Sequence, residues 1–171
     1  MEFTDVVTKR RSVRAFLDKP VPEDKLKRVL ETARLAQSGG NRQQWKFVVV
    51  KDSTKRQQIM QAANNQPHVG QAPVIIAAVS LDPVRMMLCD VPSYAVDLSI
   101  AVENMALAAA DEGLGSCWIG AFSQDKAREA IGVPDKYKVV ALLPLGYPKE
   151  EIAARPRKSF AEIICYDTFK E

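Results

Sequence analysis

Between Ser93 and Gly113 the chain reads YAVDLSIAVENMALAAADE, a stretch long enough for about five helical turns. Val96, Leu98, Ile100, Ala101, Val102, Met105, Ala106, Leu107, Ala108 and Ala109 carry apolar or small side chains most of the way round it. A helix of that kind has to be buried, either in a large core or in an interface between subunits. The whole chain is 171 residues, the size of a single domain over 1–171 with one core. Such a domain can hardly cover the helix alone, so a homodimer is expected. Glu103 and Asn104 interrupt the apolar run, which ends at Asp111-Glu112 and is therefore no transmembrane span. Asp97 and Glu103 on this helix need partners and are not spaced as an acid/base pair.

The rest of the chain alternates helical and strand signals. Residues 2–10 read as a short helix with Phe3, Val6 and Val7 on its apolar side. Pro22 suits the opening of a second helix, in which Leu26, Val29, Leu30, Ala33 and Ala36 recur at helical spacing. WKFVVV at 45–50, PVIIAAVS at 73–80 and KVVALLPL at 138–145 read as strands, the second buried on both faces. Ser53 is expected to cap a helix over 54–64 and Ser93 the long helix, and a short helix follows over 123–131 before Gly132. Phe160 to Tyr166 could form a last strand. Residues 81–92 read as a short connection able to flank a ligand site. Strands and helices intermix without regular βαβ units, so the fold class is α+β.

Composition narrows the function classes. The net charge of +3 is too slight for nucleic-acid binding through bulk charge, so any anion site must be local. One histidine, His68, makes a histidine-based metal site or a His-dependent triad improbable, and it reads as a surface residue. Cys89, Cys117 and Cys165 are scattered and odd in number, as expected for reduced thiols in the cytoplasm. The N-terminus MEFTDVVTKRR lacks the apolar core of a signal peptide.

Local charge is concentrated in TKRRSVRAF at 8–16 and RPRK at 155–158. If residues 10–14 are extended, Arg10, Ser12 and Arg14 point the same way and frame a hydroxyl with two guanidinium groups. Arginine binds phosphate bidentately, and a serine hydroxyl can serve a sugar-like chain or ring carbonyl. A solvated helix end explains the first cluster equally well, and a solvated loop explains the second. Ser38-Gly39-Gly40-Asn41 offers a hydroxyl, an amide and close backbone approach, or simply a helix-to-strand turn. GLGSCWIGAF at 113–122 is not a dinucleotide fingerprint, since Trp118 stands where GxGxxG needs glycine and a helix precedes it. Cys117 beside Trp118 reads as core.

Five segments taken together resemble the nitroreductase family of FMN-dependent enzymes. They are RRSVRAF (10–16), SGGNRQQWKFVVV (38–50), DLSIAVENMALAAADEGLGSCWIGAF (97–122), LLPLGYP (142–148) and RPRKSFAEII (155–164), in the family's order. The resemblance implies an α+β homodimer with a central, mostly antiparallel sheet flanked by helices. The long helix would lie at the dimer interface and the C-terminal segment would be exchanged between subunits. It implies bound FMN, with NAD(P)H as reductant. Arg10, Arg11, Arg155 and Arg157 would hold phosphate and ribityl groups, and Ser12 and Arg14 the ribityl chain and the N1/O2 side of the ring. Ser38, Gly39 and Asn41 would come from the second subunit, and Gln66 would reach the pyrimidine. Ile119 and Gly120 would bring backbone to the ring, with an N–H directed at N5. No side chain is expected to act as acid or nucleophile; Arg14 and the Gly120 backbone tune the ring. Gln44 replaces the family's usual proline before Trp45, and the 81–92 connection is short for a substrate lid. The implied acceptor is a nitroaromatic, a quinone or a similar small molecule, reduced by a ping-pong mechanism. A flavin-binding sensor or carrier without turnover, a same-scaffold dehalogenase, dehydrogenase or flavin-fragmenting enzyme, and a small basic RNA-binding protein remain as alternatives.

Overall fold

The strand with no polar face sets the layout. In a computed structural model that describes residues 1–171, β2 (Val74–Ser80) is buried at every position. Its side chains alternate between two cores, as a period of two requires. Val74, Ile76 and Ala78 join one core, and Ile75, Ala77 and Val79 join the other. β2 pairs antiparallel with β1 (Trp45–Val50) on one side and β4 (Lys138–Gly146) on the other, and β4 pairs with the two-residue β3 (Gly115–Ser116). The sheet order is β1-β2-β4-β3, antiparallel throughout, which agrees with the α+β class. The β2–β4 register shifts between Ala78 and Val79, where a bulge puts one extra residue of β4 opposite β2. It lets Val139 and Leu142, an odd number of residues apart, enter the same core.

Helices cover both faces. On one lie α2 (Glu23–Arg34) and α5 (Ser93–Asp111), which bury Leu26, Val29, Ala33, Leu98, Ala101, Val102, Met105 and Ala109 against the sheet. On the other lie α3 (Ser53–Ala62), α4 (Pro67–Gln71) and α6 (Gln124–Ile131), contributing Ile59, Ala62, Val69 and Ala127. Each large aliphatic side chain so buried contributes roughly 1.5–3 kcal/mol relative to exposure. α1 (Phe3–Lys9) lies on α5, and Arg10 just beyond it pairs with Glu103 at 3.6 Å. The chain does not cover α5 completely: Ser99 and Glu103 are exposed, and Val96, Ile100 and Leu107 only half-buried.

Several local expectations are corrected. Asp52, whose carboxylate accepts from Lys55 N at 2.9 Å, caps α3; Ser53 is its first residue. Pro92 precedes α5 and Ser93 makes no capping bond. Within the chain only Val6 of α1 is buried, with Phe3 and Val7 exposed. Phe160–Ile163 is a helical turn, α7, in place of a strand. A capping box decides it: Glu162 accepts from the Ser159 backbone N and Oγ at 2.8 and 2.7 Å, and local hydrogen bonds override β-type composition. Residues 153–171 are exposed throughout, Phe160, Ile163, Tyr166 and Phe169 included.

The functional segments depend on two crowded glycines. A Cβ at Gly115 would meet Val13 Cβ at 2.9 Å and Pro148 Cγ at 3.0 Å, and one at Gly146 would meet Pro73 Cδ at 2.6 Å. Gly115→Ala therefore has to push the 12–17 segment off the sheet, an overpacking cost of about 1–3 kcal/mol. The expected result is a lower thermal midpoint; an unchanged midpoint would refute the tight seating.

Candidate functional site

The basic segment runs extended along the edge of the sheet. Val13 N donates to Ser116 O at 2.9 Å, Leu17 N to Tyr147 O at 2.9 Å, and Lys149 N to Ala15 O at 3.0 Å. Val13 is buried against Ala72, with Phe16 beside it, and with Val13 turned inward the alternation throws its neighbours Ser12 and Arg14 outward. Arg11 folds back, its Nη1 donating to Thr8 O and, at 3.0 Å, to Arg10 O, while its buried Nε has no partner.

Both basic clusters meet. Arg10, Arg11, Ser12, Arg14, Arg155 and Arg157 line one cavity of about 690 Å³, bordered also by Val7, Ile152 and Glu150. Among these arginines only Arg10 has an ion-pair partner, Glu103. Uncompensated guanidinium groups facing one cavity make an anion site, with bidentate donors suited to a phosphate. The residues present fit a phosphate-bearing cofactor on this ground, the orphaned Arg11 Nε included.

The path continues from this cavity. Ser12 bridges to Ser116, and four residues further the chain reaches Gly120, a span of at most about 14 Å. The turn between is fixed from both sides. Ile119 exchanges backbone bonds with Leu142, donating at 2.9 Å and accepting at 3.1 Å, so its N–H is committed. Gly120 N has no backbone partner, and Gly120 is exposed, with only Trp118 Nε1 near its would-be Cβ. Ala121 O accepts from Gln66 Nε2 and Asn64 Nδ2, each at 3.4 Å, so Gln66 braces the turn as well as bordering it. Asn64 carried no signal in the sequence beyond its place in an Asn-Asn pair, both members of which take positive φ.

Ser38, Gly39 and Asn41 lie elsewhere, beside the start of α5. Gly39 N donates to Asp97 Oδ1 at 3.0 Å, which gives Asp97 its partner, and Ser38 Oγ accepts from Gln43 N at 3.0 Å. Asn41 and Gln43 take positive φ, as does Gly40 at no steric cost, and those bonds hold the turn in shape. None of these residues lines the arginine cavity within one chain.

Two further groups sit near the cations. Cys117 is core, as expected, and burial pushes its thiol up, against the opposing effects of Arg14 and Arg10. It stays protonated at neutral pH. His68 overturns its reading as a surface residue: it is buried, only 7% exposed, and its Nε2 has no partner. Burial, and then the charge of Arg14, lower its pKa below the usual 6.5. The signal available in the sequence was its neighbour Val69, an apolar residue after a helix-opening proline.

Comparison with known proteins identifies the family and the fold. The chain belongs to the nitroreductase family, whose model matches residues 7–73 and 57–147. A crystal structure of a nitroreductase family protein from Clostridium novyi NT is 37% identical with a TM-score of 0.84, covering 88% of this chain and 87% of that one. An FMN-dependent nitroreductase from Clostridium difficile R20291 is 29% identical with a TM-score of 0.85, covering 96% of this chain and 98% of that one. An Archaeoglobus fulgidus protein, provisionally named an NADH dehydrogenase/NAD(P)H nitroreductase, is 32% identical over 88% of this chain and 87% of its own length.

His68 gives a pH signature. Its folded pKa is lowered, so its contribution to stability is complete above the unfolded value of 6.5 and is lost as pH falls from there through the folded value. Denaturant unfolding of the parent and of His68→Gln at a series of pH values should show a shallower acid-side loss in the variant. Parallel curves would mean that His68 protonates equally in both states.

Proposed function

We propose that the chain is an FMN-dependent NAD(P)H oxidoreductase that passes electrons to a nitroaromatic, quinone or similar small acceptor. The observation that carries this reading is the meeting of two distant arginine clusters around one cavity, beside a turn with a free backbone N–H. Bound FMN would supply the redox chemistry, taking a hydride from NAD(P)H and passing electrons on. The chain's own residues then have four tasks.

Arg155 and Arg157, with Arg10 and Arg11, hold the phosphate end through charge-assisted hydrogen bonds. Ser12 serves the ribityl chain, and Arg14 stands as a fixed cation where negative charge gathers in the ring system. Gly120 N, the uncommitted donor of the turn, is the group directed at the ring edge; Ile119 contributes shape, since its N–H is spent on Leu142. Gln66 borders the pyrimidine side while bracing Ala121. With no side chain at exposed Gly120, a bound flavin would stay accessible from the turn, so reductant and acceptor could use it one after the other, a ping-pong arrangement.

Ser38, Gly39 and Asn41 act in this reading from the second subunit of a homodimer. Their separation from the arginine cavity within one chain supports that, as do the half-exposed apolar side of α5 and the exposed apolar C-terminal segment. An interface formed by α5, with the tail exchanged between subunits, would cover both.

Two measurements test the proposal. Purified protein should take up FMN and turn yellow, and the colour should bleach anaerobically with NADH or NADPH and return on adding a quinone or nitroaromatic. Absence of bleaching with both nicotinamides would refute the reductase reading. Arg157→Ala should weaken FMN retention by about 1.5–3 kcal/mol, the worth of one charge-assisted contact. Parent-like retention in a titration would remove Arg157 from the phosphate site.

A further inference from the structure

His68, the chain's one histidine, has so far no task in the site. Its ring is nine-tenths buried and Nε2 faces no donor or acceptor. The segment bearing Arg14 is fastened next to α4, because Val13 and Phe16 pack on Ala72 at the end of that helix. Arg14 has no ion-pair partner and acts on the imidazole as a positive charge; Arg10, Arg11, Arg155, Arg157 and the carboxylate of Glu150 line the same cavity. Arg56 of α3 is engaged with Gly70 O at 3.0 Å and Ala72 O at 2.7 Å, at the same end of α4 as the Val13 and Phe16 contact. Lys55 and the capping Asp52 lie at the start of α3. Cys117 is a buried neutral thiol. Glu150, the carboxylate bordering the arginine cavity, makes no ion pair with Arg14.

We propose that His68 takes up a proton from solvent when two-electron reduction puts negative charge at the Arg14 end of the pocket, holding the local charge nearly constant. This rests on the flavin reading above. Before reduction, a second positive charge beside Arg14 in a buried position is unfavourable, and the ring stays neutral. A new anion next to Arg14 cancels much of that repulsion, and a proton on the imidazole becomes affordable in free energy. The balance is simple: the two electrons and one proton arrive with the nicotinamide hydride, and one further proton moves from buffer to a ring nitrogen of His68. No electron passes through the residue and no other bond changes. His68 is thus a positioning residue for charge, acting through Arg14.

The single histidine makes the test clean, since histidine labelled with nitrogen-15 gives one imidazole to follow. The pKa of that ring is measured by nuclear magnetic resonance in the FMN-loaded protein, oxidised and then reduced anaerobically with dithionite. The expected result is a rise of about one pH unit on reduction, the effect of one added opposite charge nearby. Between the two values the midpoint potential should fall with pH at two protons per two electrons, twice the slope of the one-proton case, and His68→Gln should restore the one-proton slope there. An imidazole pKa equal in the two redox states, with FMN visibly bound, overturns the inference and leaves the flavin reading intact. Failure to bind FMN at all overturns both.

Discussion

The site depends on how residues 12–17 are seated. Three backbone hydrogen bonds, to Ser116, from Lys149 and to Tyr147, stitch this extended segment to the ends of β3 and β4. Two buried side chains, Val13 and Phe16, key it into the core, and Gly115 leaves room for it because a side chain there would collide with Val13. The outward alternation of Ser12 and Arg14 follows from that seating, and so does the approach of the cations to the turn that ends at Gly120. Long, flexible arginine side chains are positioned by their backbone here, and the backbone is fixed by a sheet whose central strand is buried on both sides.

This placement explains how one chain can combine a charged cavity with an apolar interior at little electrostatic cost. The arginines stay at the rim of the core, where water or a ligand phosphate solvates them, and only His68 and Cys117 are carried inward beside them. Both inward groups are neutral at pH 7, for the same reason: burial disfavours their charged forms. The SGGN turn is organised separately, through Asp97 at the start of α5.

Much of this was legible in the sequence where one physical signal dominated. WKFVVV, PVIIAAVS and KVVALLPL are continuous apolar, β-branched runs of strand length, and their bounds agree with the structure to within a residue. The period-two reading of Arg10, Ser12 and Arg14 was available because extended backbone leaves few choices. Other features were decided by contacts that no local pattern encodes. β3 is two residues long and exists only because β4 offers it an edge. The turn at Phe160–Ile163 hangs on Glu162 reaching back to Ser159, a signal present but outvoted by the aromatic and β-branched residues around it. His68 was misread because residue type argues for the surface, whereas its burial is set by the packing of α4 against α3. The convergence of Arg155 and Arg157 on Arg14 is a long-range fact, with well over a hundred residues between the clusters.

The exposed C-terminal segment has one more consequence. Arg155 and Arg157 stand on a stretch that buries none of its own side chains within the chain, although its last part is already wound into a capped helical turn. The position of these two cations is therefore only as definite as whatever the segment docks against. Any partner surface that orders the tail also sharpens the grip on a phosphate, and by reciprocity a bound phosphate favours docking of the tail. In the proposed dimer, assembly and cofactor loading would be two readings of a single coupled equilibrium, and dilution would act on the second through the first.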